Sequence, residues 1–154
     1  MIYEVINDYI LHFICLNIYC FHKQEQKDSL MEKISSISRY LLGILLLVFG
    51  LNGFLQFLPM PPVPEQAMAF LSGLMAAPYF FPLLKGVEVI AGVLLLLNKK
   101  VPLTLVILAP IVLNIFLFHA VLDPAGGAGA YLTTGLFIAV TYGYWDTYKE
   151  VLQA

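Results

Sequence analysis

Four stretches of this chain stay almost wholly apolar for the length of a bilayer crossing: Tyr40 to Leu58, Phe80 to Leu97, Val101 to Val121 and Tyr131 to Tyr148. At 1.5 Å of rise per residue, a helix of roughly 20 residues crosses a hydrocarbon core about 30 Å thick. Lipid offers no water to backbone N–H and C=O groups, so a spanning segment must be a helix or part of a closed barrel. These runs lack the alternation of barrel strands. The sequence therefore predicts an all-α membrane protein, a four-transmembrane-helix bundle. Composition agrees: 60% of the 154 residues are hydrophobic and 12% charged, where soluble domains carry about 25% charged residues.

Helix-breaking residues fall between the runs. Pro59, Pro61, Pro62 and Pro64 end the first, Asn98-Lys99-Lys100 separates the second from the third, and Asp123-Pro124 with Gly126, Gly127 and Gly129 separates the third from the fourth. Glu65 to Ala77 is expected to form a short interfacial helix between spans one and two. Orientation follows from the basic residues, which favour the cytoplasmic side. Lys33 and Arg39 precede span one, Lys99 and Lys100 lie between spans two and three, and Lys149 follows span four; residues 59–79 and 122–130 contain no Lys or Arg. The prediction is N-in/C-in. Tyr40, Trp145 and Tyr148 would then belong to the inner aromatic belt, and Phe57, Tyr79 and Phe81 to the outer one.

Residues 1–30 read as a separate extension to the 31–154 membrane domain. The apolar run Tyr9 to Phe21 is short for a span, carries His12 and Asn17, and lacks the basic flank and small-residue cleavage site of a signal peptide. A dispensable or mis-started extension with Met31 as the natural start, an interfacial amphipathic segment and a fifth span are the three readings. Cys15 and Cys20, both in this extension, are apolar filler and supply neither a disulfide framework nor a CxxC metal pair. A net charge of −2, with no basic and aromatic interleaving, excludes nucleic acid as a partner class.

Helices in lipid associate through close backbone approach, so Gly43 and Gly50 on one face of span one are candidate contacts, with Gly86, Gly92 and Gly135 as further ones. Ionisable side chains in a span cost about 2.5–3.5 kcal/mol each, so every one is a candidate functional group. Lys85 and Glu88 are i,i+3 and able to neutralise one another, Glu88 lying about 12 Å below the outer boundary and Lys85 able to snorkel outward. Asn52 and Gln56 share a face of span one. His119 and Asp123 are one turn apart at the outer end of span three and pair if the helix continues through Leu122. Asn114 lies deeper and about 140° around the helix from His119, a mismatch that a kink at Pro110 would have to reduce.

The candidate ligand or proton site is thus Asn52, Lys85, Glu88, Asn114, His119 and Asp123, all expected in the outer half of the bundle. The inner half offers almost nothing comparable. The competing reading is structural: a register-fixing Lys85–Glu88 pair, Asn52 and Asn114 as interhelical glue, His119 as a satisfied interfacial histidine, and Asp123 as a turn cap. Nucleophile, nucleotide and zinc motifs are missing from the sequence, and Glu88 with His119 are too few ligands to define a metal site.

The segments RYLLGILLLVFGLNGFLQFLP (39–59), PLLKGVEVIAGVLLLLNKKVPLTLVILAP (82–110) and NIFLFHAVLDPAG (114–126) together resemble the DoxX family of small integral membrane proteins. The resemblance covers nearly all of residues 35–148. It implies a four-helix bundle in the bacterial plasma membrane, the inner membrane of a two-membrane cell, and its matching polar positions are the six above. Some relatives are associated with quinone-linked sulfur oxidation or with thiol and oxidant defence; most have no defined activity. A bundle without cysteine argues against direct dithiol chemistry, so a redox role needs a bound quinone, another cofactor or a partner redox subunit. Three functions compete: a quinone-linked redox accessory protein, a small-solute transporter using Lys85 and Glu88 as a charge relay in a homo-oligomer, and a non-catalytic membrane scaffold or assembly protein.

Overall fold

The computed structural model describes residues 30–59 and 62–153. The expectations for Tyr9 to Phe21, Cys15 and Cys20 lie outside the described residues. By its internal contacts the chain falls into two units, Met1–Ile34 and Ser35–Ala154. Of the first only residues 30–34, the opening of a helix, are described. The packing below is that of the second.

All regular structure among the described residues is helical. Helix α1 runs Leu30–Leu55, ten residues earlier than the apolar run suggests, because Lys33, Ser35, Ser36, Ser38 and Arg39 interrupt the hydrophobicity without breaking the helix. It ends where Gln56 turns left-handed at φ 48°, and Asn52 Oδ1 accepts the Leu58 N–H at 2.7 Å. Gln56 therefore does not share a helical face with Asn52. Helix α2, Glu65–Met75, follows Pro64, with Glu65 in its first turn where a carboxylate complements the helix dipole. It meets α3, Phe80–Leu96, at a bend of 94°.

The α3–α4 connection is short because Asn98 adopts φ 55°. Lys99 N–H then reaches Leu94 C=O at 2.9 Å and Asn98 N–H reaches Leu95 C=O at 3.2 Å, the paired closure of a Schellman turn. Helix α4, Val101–Val121, continues through Pro110. A 3₁₀ turn at Pro124–Gly126 leads to α5, Ala128–Gly143, and after Tyr144 the chain resumes as α6, Trp145–Gln153. The expected continuous fourth span to Tyr148 is therefore broken at Tyr144. The apolar run hides this break, which coincides with the contact of Gly143 on Ser35.

Contacts set the helix directions. Gly43 faces Gly92 and Leu96, Gly50 faces Glu88 and Val89, and Gly53 faces Lys85, so α1 and α3 are antiparallel. Gly92 lies so close that an added Cβ would stand 2.9 Å from the Gly43 carbonyl oxygen. By contrast, Gly86 and Gly135 face open space, so only some of the glycines expected at contacts serve there. Phe116 packs on Tyr131 with ring centroids 6.0 Å apart, joining the end of α4 to the start of α5. At the opposite end, Tyr144 donates to Asn98 Oδ1 and Tyr148 to the Pro102 carbonyl. The core between these ends combines Leu42 and Leu46 of α1, Ala91 and Leu95 of α3, Leu105 and Leu108 of α4, and Val140 of α5.

The outer surface is apolar as well. Ile44, Ile90, Val106 and Ile138, one from each of α1, α3, α4 and α5, are all at least half exposed. A water-facing helix would put polar side chains there. Helices α1 and α4 are each long and apolar enough to cross a membrane, and α2 with α3 passes the same test as one bent pair. Two to three segments thus qualify as spans by length and composition.

Candidate functional site

One end of the helices, marked by His119, collects most of the candidate residues. Glu88 continues the buried stripe of α3, one turn before Ala91 and Gly92 and two before Leu95. It is therefore drawn into the interior and is only 2% exposed. An ionised carboxylate there needs a partner. Lys85, one turn earlier, supplies it: Nζ donates to Oε2 at 2.8 Å and to Oε1 at 3.1 Å. The Lys85 stem lies over Gly53 and Glu88 Cβ lies beside Gly50. Glycines of α1 thus make the room in which the ion pair fits. Lys85 keeps 23% of its side chain exposed, so the pair is buried at its anionic end and accessible at its cationic end.

The second pair forms where α4 ends. His119 continues the α4 stripe of Leu105, Leu108 and Val112 by helical spacing. Leu122 stays helical in backbone angles, which brings Asp123 back beneath it. His119 Nδ1 lies 3.2 Å from the Asp123 carbonyl oxygen and 3.4 Å from Asp123 Oδ2. Both neighbours are acceptors, so Nδ1 carries a proton and Nε2 is the nitrogen free to meet a ligand. The other Asp123 oxygen accepts the Gly126 N–H at 3.2 Å, capping the 3₁₀ turn. The expected His119–Asp123 pairing and the expected turn-capping role of Asp123 are both present.

Helix α2 packs at this end. Phe70 packs against Phe118 with tilted rings and centroids 5.8 Å apart, and Phe118 contacts the His119 ring edge-to-face at 5.0 Å. Helix α2 is thus linked to the histidine through a single aromatic side chain.

Two candidates stand apart from these pairs. Asn52 is engaged at its carboxamide oxygen with the Leu58 N–H, so its NH₂ group is what remains to donate. Asn114 is exposed on the surface of α4. Continuity of α4 through Pro110 leaves the predicted angular mismatch with His119 in place.

The opposite end, expected to offer almost nothing comparable, does carry buried polar groups. Ser35, Ser38 and Arg39 of α1 are buried there, Arg39 to 4% exposure. Its guanidinium donates to the Leu95 carbonyl oxygen and its Cζ lies 4.2 Å above the centre of the Tyr40 ring. Arg39 is not simply an anchor in front of the span; it closes the C-terminal turn of α3. The sequence carried a signal for this. Residues 35, 38, 39, 42 and 46 follow the 3.6 period of one helical stripe, and Leu42 and Leu46 are core.

Among the described residues, no three of His, Cys, Asp and Glu gather into a group able to hold a metal ion. The chain matches no protein-family model, and neither a curated protein nor a solved structure matches it.

Proposed function

We propose that the chain is a four-span, N-in/C-in protein of the bacterial plasma membrane, of DoxX-like type, acting as a quinone-linked redox accessory protein through the polar groups at its His119 end. Four spans require α3 and α5 to cross as well. Their 17 and 16 residues reach about 24–26 Å, a few ångströms short of an average core, a mismatch that local thinning and interfacial aromatics accommodate. Tyr79, Tyr142 and Trp145 are exposed beside the ends of these two helices, in keeping with interfacial belts. Large apolar side chains face outward on both, which supports lipid as their solvent.

The observation that carries the redox reading is the Lys85–Glu88 pair, buried at the carboxylate and partly open at the ammonium. A quinone headgroup presents two carbonyl acceptors, and its reduction consumes protons as well as electrons. Lys85 and the Asn52 amide are donors for such carbonyls, while Glu88, or His119 through its unprotonated Nε2, exchanges the protons. Electrons come from a partner redox subunit. The test is binding of a short-tailed benzoquinone to protein in lipid nanodiscs, measured by equilibrium dialysis against empty nanodiscs. Saturable binding lost in both Glu88→Gln and His119→Ala supports the site; binding unchanged in both removes it.

A second reading, a membrane scaffold or assembly protein, is favoured by the engagement of Asn52 and Asp123 in capping chain reversals. On that reading the same substitutions change resistance to unfolding, and quinone does not bind the parent protein.

A further inference from the structure

The exposed face of α4 carries a seam of its own. Leu103, Ile107, Pro110, Asn114, Leu117 and Val121 recur at alternating intervals of four and three residues, and all six are exposed. This is the heptad spacing that keeps one stripe facing a second helix. The buried stripe of α4, Val101, Leu105, Leu108 and Val112, lies on a different side. One helix therefore presents two contact faces, of which the described residues of its own chain occupy one.

Lipid explains exposed leucine and valine, but it does not explain Asn114. Seven residues before the end of α4, the Asn114 amide lies about 10 Å from that end, beyond the reach of a short side chain to the interface. The hydroxyls of Thr104, Thr133, Thr134 and Thr141 each donate to the carbonyl four residues back. Asn114 instead stands exposed in the seam. An amide facing hydrocarbon lacks the hydrogen bonds that water would give it, and a facing helix is the means of supplying them.

We propose that the protein forms a parallel homodimer through this seam, with the Asn114 amides of two copies hydrogen-bonded to each other across the twofold axis. The occupant follows from membrane topology. Copies inserted in the same sense are related by an axis along the membrane normal, so each seam residue meets its own counterpart at the same depth. Asn114 is then matched by a donor and an acceptor at its own level, which a carboxamide alone among the six seam side chains provides. A single asparagine within an apolar heptad seam also fixes register and oligomeric state. The proposal rests on α4 spanning the membrane and is independent of the quinone reading.

The experiment measures self-association of the full chain, with Cys15 and Cys20 replaced by Ser, by fluorescence energy transfer in vesicles of increasing lipid-to-protein ratio. The parent protein should dimerise. Asn114→Leu should raise the dissociation mole fraction about tenfold, equivalent to about 1.4 kcal/mol, while Asn114→Gln, which keeps the amide, should stay within about threefold. Oxidation should cross-link a Leu117→Cys variant and leave Ile90→Cys, on the outer face of α3, without a covalent cross-link. A parent protein that is monomeric at every dilution, or a dimer indifferent to Asn114→Leu, overturns the proposal. Cross-linking through Ile90→Cys instead of Leu117→Cys overturns it equally.

Discussion

The Lys85 ammonium bridges both oxygens of the Glu88 carboxylate, 2.8 Å from one and 3.1 Å from the other, across one turn of α3 and against the glycines of α1. Because the carboxylate is almost fully buried, the pair behaves as a unit. Removing one partner leaves a charge in the interior; removing both leaves an apolar contact.

Lys85→Met alone should therefore destabilise the folded protein by about 3–5 kcal/mol, toward the lower end because Lys85 is partly exposed. The double variant Lys85→Met/Glu88→Leu should recover most of that loss. Denaturant titration in detergent micelles, read by helical circular dichroism, checks both. A double variant as unstable as the single one would mean that the pair contributes net stability beyond cancelling its own desolvation.

Glycine substitutions should separate by location. An added methyl at Gly92 meets the Gly43 carbonyl at 2.9 Å and Leu47 Cγ at 2.9 Å, so Gly92→Ala must push two backbones apart and should cost about 1–3 kcal/mol. Gly86→Ala and Gly135→Ala meet open space and should be neutral or gain up to about 1 kcal/mol from helix propensity. The same titration ranks the three.

That contrast shows what the sequence could and could not disclose. Helices α2, α3 and α4 are legible to within two residues because prolines and the Asn98-Lys99-Lys100 turn punctuate them. The start of α1 and the end of α5 are not. A helix continues through Ser35, Ser38 and Arg39 when those side chains find partners on other helices, and such partners are tertiary facts. The ion pair and the His119–Asp123 contact are local, i,i+3 and i,i+4, so their spacing alone foretells them. Asn114 and Arg39 were legible only by helical phase: 114 falls off the buried stripe of α4, and 39 falls on that of α1. Counting Arg39 solely as a topogenic charge concealed the latter.

Arg39 should accordingly tolerate little change. Its guanidinium satisfies the Leu95 carbonyl and stacks on Tyr40. Arg39→Met should cost about 1.5–3 kcal/mol, the worth of a charged hydrogen bond. Arg39→Lys should recover only part, since an ammonium lacks the planar face that stacks on the ring. Recovery of full stability by lysine would show that charge alone suffices there.

Topology is open to direct measurement. In a chain with Cys15 and Cys20 replaced by Ser, Ala125→Cys lies exposed in the turn between α4 and α5, and Lys99→Cys lies exposed in the turn between α3 and α4. With the basic residues inside, a membrane-impermeant thiol reagent should modify position 125 in intact cells and reach position 99 only after permeabilisation. Two further positions count the crossings. Leu74→Cys, near the end of α2, should label with 125 if α3 crosses as a separate span. Asp146→Cys, at the start of α6, should label with 99 if the 16 residues of α5 suffice to cross. Labelling of 146 from outside would mean that α5 returns to the face it left, which would reduce the protein to three crossings and remove the C-in terminus.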